Sequence, residues 1–137
     1  TEPQPTADDI AALVGRWRDA GHSVALAVHG TAPPLPLGVS LTVYRIVQEA
    51  LTNVMKHAGP AAHTDVCLRY GSDEVTVEVV DDGRGVAPSD GVPSSGQGLI
   101  GMRERVEVFA GDLSAGPRPG GGFRVHATLP VRSAITT

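Results

Sequence analysis

Tyr44-Arg45-Ile46-Val47-Gln48-Glu49-Ala50-Leu51-Thr52-Asn53-Val54-Met55-Lys56-His57-Ala58-Gly59-Pro60 carries two patterns at once. From Val39 onward, Val43, Ile46, Val47, Ala50, Leu51 and Val54 recur at three- and four-residue spacing, the period of a helix with one buried face. Gly59-Pro60 stops it. Beside the apolar face runs a second stripe: Glu49 and Asn53 are i,i+4 neighbours, Lys56 and His57 continue it by a turn, and Gln48 and Thr52 flank it. Asparagine is a mediocre helix former because its amide competes for backbone hydrogen bonds. A mid-helix asparagine beside a glutamate therefore points to a task other than propensity. A hard divalent cation such as Mg²⁺ takes oxygen ligands, keeps several waters and bridges phosphate oxygens. Asn53 can supply a carbonyl oxygen to it, and Glu49 can hold a water or take a proton from a nucleophile. Lys56 and His57 add donors toward phosphates. A solvated face of mixed Glu and Lys reads the same way, and the helix alone favours that plainer reading.

A second stretch shifts the balance. Ser72-Asp73-Glu74 is a turn, after which Val75, Val77 and Val79 alternate with Thr76, Glu78 and Val80 as a half-buried strand. The strand runs into Asp81-Asp82-Gly83-Arg84-Gly85. Glycine at a strand end marks a tight bend or a close backbone approach. A carboxylate there is a natural acceptor for the exocyclic amine of adenine and is repelled by the O6 acceptor of guanine. Asp81 is the residue placed in that role. Asp82 reads as a solvated turn residue and Arg84 as a structural or salt-bridging one. By itself the motif is equally an Asp-Gly turn.

Residues 86–98, Val-Ala-Pro-Ser-Asp-Gly-Val-Pro-Ser-Ser-Gly-Gln-Gly, have no hydrophobic period and are rich in Gly, Pro and Ser. A loop of this length in a compact domain is commonly a lid or a binding loop. It closes on Gly96-x-Gly98-Leu99, after which Leu99, Met102, Val106 and Phe109 mark another amphipathic helix. A glycine-rich loop feeding a helix N-terminus offers unpaired N–H groups and a positive dipole end to phosphate. Arg103 or Arg105 can reach a phosphate from there; a surface pair with Glu104 or Glu107 is the competing use.

Taken together, these stretches resemble the nucleotide boxes of sensor histidine kinases. Tyr44 to Asn53 through His57-Ala58 looks like the N box, Asp81-x-Gly83-x-Gly85 like the G1 box, and Gly96-x-Gly98-Leu99 like the G2 box. Gly98-Leu99-Ile100-Gly101-Met102-Arg103-Glu104-Arg105-Val106 is similar to the DesK-like branch whose partners are NarL/LuxR-type response regulators. The resemblance runs from about Asp8 to Pro130. It implies an α+β two-layer sandwich, the Bergerat ATP-binding fold shared with chaperone, gyrase and mismatch-repair ATPases: a mixed sheet, helices on one face and a mobile ATP lid. It implies ATP and Mg²⁺ as cofactors. Asn53 would bind the metal, Glu49 would support the reaction centre, and Asp81 would read adenine. Gly83, Gly85, Gly96 and Gly98 would let nucleotide and lid approach, with Lys56, His57, Leu99 and Arg103 completing the cofactor site.

These kinases phosphorylate a histidine beside an acidic residue on a separate dimeric helical hairpin. His22, His29, His57, His63 and His126 have no such context: His22 follows a glycine stop, His29 and His126 fall on strands, His63 in a loop, and His57 on the nucleotide stripe. The expected partners are therefore the histidine-bearing dimerisation domain of the same sensor and a NarL/LuxR-type response regulator. Residues 1–7 read as a linker, 8–131 as the catalytic domain and 132–137 as a tail, a fragment of a larger sensor. A net charge of −4 argues against nucleic acid or a membrane surface as a direct partner of this domain. Cys67 is the single cysteine, so there is no disulfide framework and a reducing cytoplasm is the expected setting.

The remaining elements are scaffold. Thr6-x-x-Asp9 resembles a capping box ahead of a helix with Ile10, Leu13, Val14 and Trp17 on one face, stopped at Gly21. Val24 to Val28 is an apolar strand, Val66, Leu68 and Tyr70 belong to a strand that hairpins onto Val75 to Val80, and Leu113 to Ala115 with Phe123 to Leu129 form a closing hairpin around Gly116 to Gly122. That second glycine run reads as a flexible turn, since no helix follows it. Three other readings stay open: a serine kinase of the anti-sigma-factor type, an ATPase of the chaperone or repair type, and a nucleotide-binding interaction module without catalysis.

Overall fold

The helical stripe of Val43, Ile46, Val47, Ala50 and Leu51 is the centre of the core: none of these side chains is more than slightly exposed. The computed structural model describes residues 6–31, 34–59, 61–83 and 93–131, and for residues 93–99 the helical backbone without side chains. The chain order is a 3-10 turn Ala7–Asp9, α1 (Ile10–Asp19), β1 (Ser23–His29), α2 (Leu37–His57), β2 (His63–Tyr70), β3 (Glu74–Asp81), α3 (Pro93–Val108), β4 (Asp112–Pro117) and β5 (Phe123–Pro130). The strands form one sheet in the order β1-β2-β3-β5-β4. β1 and β2 run parallel, joined by the α2 crossover that a parallel pair requires, and the other neighbours are antiparallel.

Alternation decides which face of the sheet meets the helices. Val66 and Leu68 of β2, Val75, Val77 and Val79 of β3, and Val125, Ala127 and Leu129 of β5 are all buried and pack with α1, α2 and Val106 of α3. Cys67, Glu78 and His126 face the other way, in register across β2, β3 and β5. Continuing the buried alternation of β3 by two residues carries Asp81 to the helix side, where it is 4 % exposed. This is the expected α+β architecture, a mixed sheet with helices on one face.

Local signals account for the ends of the elements. The Thr6 N–H donates to the Asp9 carboxylate at 2.8 Å, and the next N–H, of Ala7, donates to Ser40 Oγ at 2.7 Å, tying the N-terminal turn to α2. α2 ends at His57 with Ala58 as its cap, and Gly59 follows at φ +91°. Two boundaries differ from expectation. His63, placed in a loop by the sequence, opens β2: its N–H donates to Asp82 at 2.7 Å and its ring bridges Ser23 at 2.6 Å and Asp65 at 3.0 Å. α3 starts at Pro93, so residues 93–98 of the expected lid are helical, while residues 86–92 lie outside the described part. Proline is well suited to a first helical position because the N–H it lacks is unpaired there. Gly96 and Gly98 disguised the start, each costing about 1 kcal/mol against alanine in a helix.

Candidate nucleotide site

The mid-helix asparagine is buried, at 8 % exposure, and neither its amide oxygen nor its amide nitrogen has a partner among the described residues. His57, one turn later, is half-buried with Nε2 enclosed and likewise unpartnered among them. A buried polar group without a partner costs about 1–3 kcal/mol, so two neighbouring cases on one helix stripe call for an explanation. Glu49 is half-buried on the same stripe and Lys56 is exposed at its end. Among the described residues no three His, Cys, Asp or Glu side chains converge so as to hold a metal ion. Asn53, water and phosphate oxygens, the ligand set Mg²⁺ prefers, fit the residues present better than a protein cage does.

Asp81 ends β3. Its Oδ1 accepts the Gly83 N–H at 2.9 Å. Burial pushes its carboxyl above the usual carboxylate range and the Asp82 charge adds to this; the N–H groups of Gly83 and Phe123 and the Arg118 charge pull the other way. The short Asp81–Gly83 segment is pressed onto the end of α2, because a Cβ on Gly83 would overlap the Cβ and carbonyl oxygen of Ala58. Ala58 is five residues beyond Asn53, about 7.5 Å along the helix axis. The glycine expected to make room for ligand thus makes room first for the helix terminus, and this contact joins the acidic strand end to the end of the helix that carries the polar stripe.

The second glycine run is also part of this corner, which sequence reasoning missed. Arg118 Nη1 donates to the Asp81 carbonyl at 3.2 Å, and a Cβ on Gly122 would collide with that same carbonyl. Gly122 has φ +97°, a conformation that costs an L-residue roughly 1–2 kcal/mol. Overlap in packed surroundings adds about 1–3 kcal/mol. Gly122→Ala is therefore expected to destabilise the fold by at least about 2 kcal/mol in urea unfolding, and an unchanged midpoint would show that the hairpin is not seated on β3.

Other expected residues sit elsewhere or outside view. Arg103 Nε donates to the Leu113 carbonyl on edge strand β4 at 3.3 Å, which holds it to the far edge of the sheet. Gly85 lies outside the described residues; Gly96, Gly98 and Leu99 are on α3, and the Leu99 side chain is not described. Lys56 and His57 line a cleft of about 550 Å³ with Trp17, His22, Leu51 and Met55, on the α1 and β1 flank, and neither Asn53 nor Asp81 borders it. Trp17 is a half-buried core residue at its rim, tilted against His22 at 4.9 Å.

The comparisons agree with the fold. The profile of the histidine kinase-, DNA gyrase B- and HSP90-like ATPases matches residues 38–133, and the chain belongs to that family. It is 36 % identical over 96 residues to the sensor histidine kinase YxjM of Bacillus subtilis (strain 168), covering 70 % of this chain and 22 % of that protein. It is 33 % identical over 102 residues to the histidine-protein kinase/phosphatase DegS of Brevibacillus brevis, covering 74 % of this chain and 26 % of that one. It thus spans about a quarter of the length of these curated relatives. Among solved structures, the histidine kinase domain of the Erythrobacter litoralis EL346 blue-light activated kinase superposes with a TM-score of 0.67 at 26 % identity, over 91 % of this chain and 63 % of that one. The catalytic domain of histidine kinase ThkA gives 0.69 at 12 % identity, over 91 % and 89 %, a likeness of fold. Among the described residues no helix is long and apolar enough to cross a membrane.

Proposed function

We propose that this chain is the ATP-binding catalytic domain of a two-component sensor histidine kinase. In this reading it binds Mg·ATP and presents the γ-phosphoryl group to a histidine on a separate dimerisation domain, for relay to a NarL/LuxR-type response regulator in the cytoplasm. The observation that carries it is the buried amide of Asn53, without a partner among the described residues, on the helix whose end at Ala58 meets Gly83 of the Asp-Gly motif. The curated relatives, both named as histidine kinases, favour it over a serine kinase or a repair-type ATPase.

Bound Mg·ATP would supply an electrophilic phosphorus and a leaving group whose charge the cation neutralises. Asn53 would offer its amide oxygen to the cation. Glu49, one turn earlier and half-buried, orients the incoming nucleophile or takes its proton. Asp81 would accept from the adenine amine, and Lys56 and His57 would donate toward phosphate oxygens only where the triphosphate reaches the cleft on the α1 and β1 flank. Gly83, Gly85, Gly96, Gly98 and Leu99 belong to the boxes that border the nucleotide. Arg103 joins them only by leaving its β4 carbonyl, and is the residue of this set with the weakest claim.

Phosphoryl transfer depends mainly on positioning and charge neutralisation, so without its acceptor the chain is expected to bind Mg·ATP and hydrolyse it slowly. Calorimetric titration with ATP and GTP, each with and without Mg²⁺, followed by a turnover assay, tests this. ATP-selective, Mg²⁺-responsive binding with slow turnover is the expected result; no binding, or rapid saturable hydrolysis by the chain alone, overturns the reading.

A further inference from the structure

The β4–β5 turn, Arg118-Pro119-Gly120-Gly121-Gly122, is an unlikely lever by composition, since three of its residues have no side chain and take positive φ values of 88°, 116° and 97°. Arg118 is the residue of the turn whose side chain carries a hydrogen-bond donor. Its N–H donates to the Gly122 carbonyl at 2.9 Å and its carbonyl accepts the Gly121 N–H at 3.1 Å, closing the turn. Its guanidinium reaches across to β3 and donates to the Asp81 main-chain carbonyl at 3.2 Å. Gly122 lies against that carbonyl, and the next residue, Phe123, is the register partner of Asp81 across β3 and β5.

We infer that Arg118 is a positioning residue for nucleotide selection, holding the Asp81 carboxylate through the β4–β5 turn in the orientation that accepts the adenine amine. The inference rests on the adenine reading of Asp81. The Gly83 N–H aims that carboxylate at 2.9 Å, and the main chain that bears it is held from the other side by the turn that Arg118 anchors. The guanidinium bonds the backbone and not the carboxylate, so its effect on the nucleotide is exerted through geometry. A glycine-rich turn freed from this anchor has many conformations open to it.

The test compares ATP with inosine triphosphate, which shows a carbonyl where ATP has its amine, by competition binding to the 137-residue chain. The proteins are wild type, Arg118→Ala, Arg118→Lys, Asp81→Asn and the double variant Asp81→Asn/Arg118→Ala. Arg118→Ala is expected to weaken ATP about tenfold, the scale of one charge-assisted hydrogen bond, and to leave inosine triphosphate unchanged. Arg118→Lys should restore part of the loss, and the double variant should bind ATP no worse than Asp81→Asn alone. General damage to the fold would weaken both nucleotides equally, so the ratio separates positioning from stability. If Arg118→Ala shifts both by the same factor, or neither, while Asp81→Asn weakens ATP and spares inosine triphosphate, the inference falls and the adenine reading stands. If Asp81→Asn itself leaves the ratio unchanged, the adenine reading falls and takes the inference with it.

Discussion

Asp81→Asn is expected to weaken ATP binding by roughly 10- to 100-fold and to erase the preference for ATP over GTP, the range given by losing one hydrogen bond to a charged acceptor. The carboxylate is buried and already held by the Gly83 N–H, so it meets the base pre-oriented. Its raised pKa adds a pH signature. Protonation turns the acceptor into a donor, so wild-type ATP affinity should fall as pH drops through the raised value, while the asparagine variant should lack this titration. For stability the sign is opposite to that of a salt-bridged carboxylate. The folded chain binds this proton more tightly than the unfolded chain, so the Asp81 contribution is most favourable below the ordinary carboxylate range. It is lost as pH rises through the raised value. Titrating ATP and GTP against both proteins between pH 4 and 8 (roughly the span of acid to neutral titrations) checks the claim; equal pH profiles would sink it.

Asn53→Ala should remove the effect of Mg²⁺ on ATP affinity altogether while leaving the fold as stable as before, or slightly more so. The usual cost of truncating a buried polar residue is the partner left behind, and both amide atoms of Asn53 lack one among the described residues. Removal therefore relieves two unsatisfied groups and leaves only a small cavity beside the well-packed Ala50 and Leu51. A structural asparagine would behave the other way, losing stability and sparing the metal response. ATP titration with and without Mg²⁺, beside urea unfolding of both proteins, separates the two; an unchanged Mg²⁺ effect in the variant would remove Asn53 from the metal site.

The architecture was legible because its signals are short-range. The three- and four-residue period of α2, the alternation of β2 and β3, and the stops at Gly21 and Gly59 are each contained within a few turns or pairs of residues, and the structure places α1, α2 and β3 within a residue or two of the expected bounds. The start of α3 was less legible, since proline and glycine usually argue for a loop and here Pro93 opens a helix. The opening of β2 at His63 depended on a register with β1 and a bond to Asp82 that no local pattern announces.

The chemical types at the candidate site were equally open to sequence reading: an amide within a helix stripe, a carboxylate at a strand end and glycines around it, all local departures from what secondary structure alone would select. Their convergence was not. Gly83 meets Ala58 across the β2 hairpin, and Arg118 meets Asp81 across 37 positions of chain, with α3 in between. Arg103 looked suited to phosphate by its place in the helix, yet packing turned it to the β4 backbone. Such pairings follow from strand order and from the way α2 beds on the sheet, a balance of burial over the whole core, and a one-dimensional periodicity records which face a residue occupies but not what it will face.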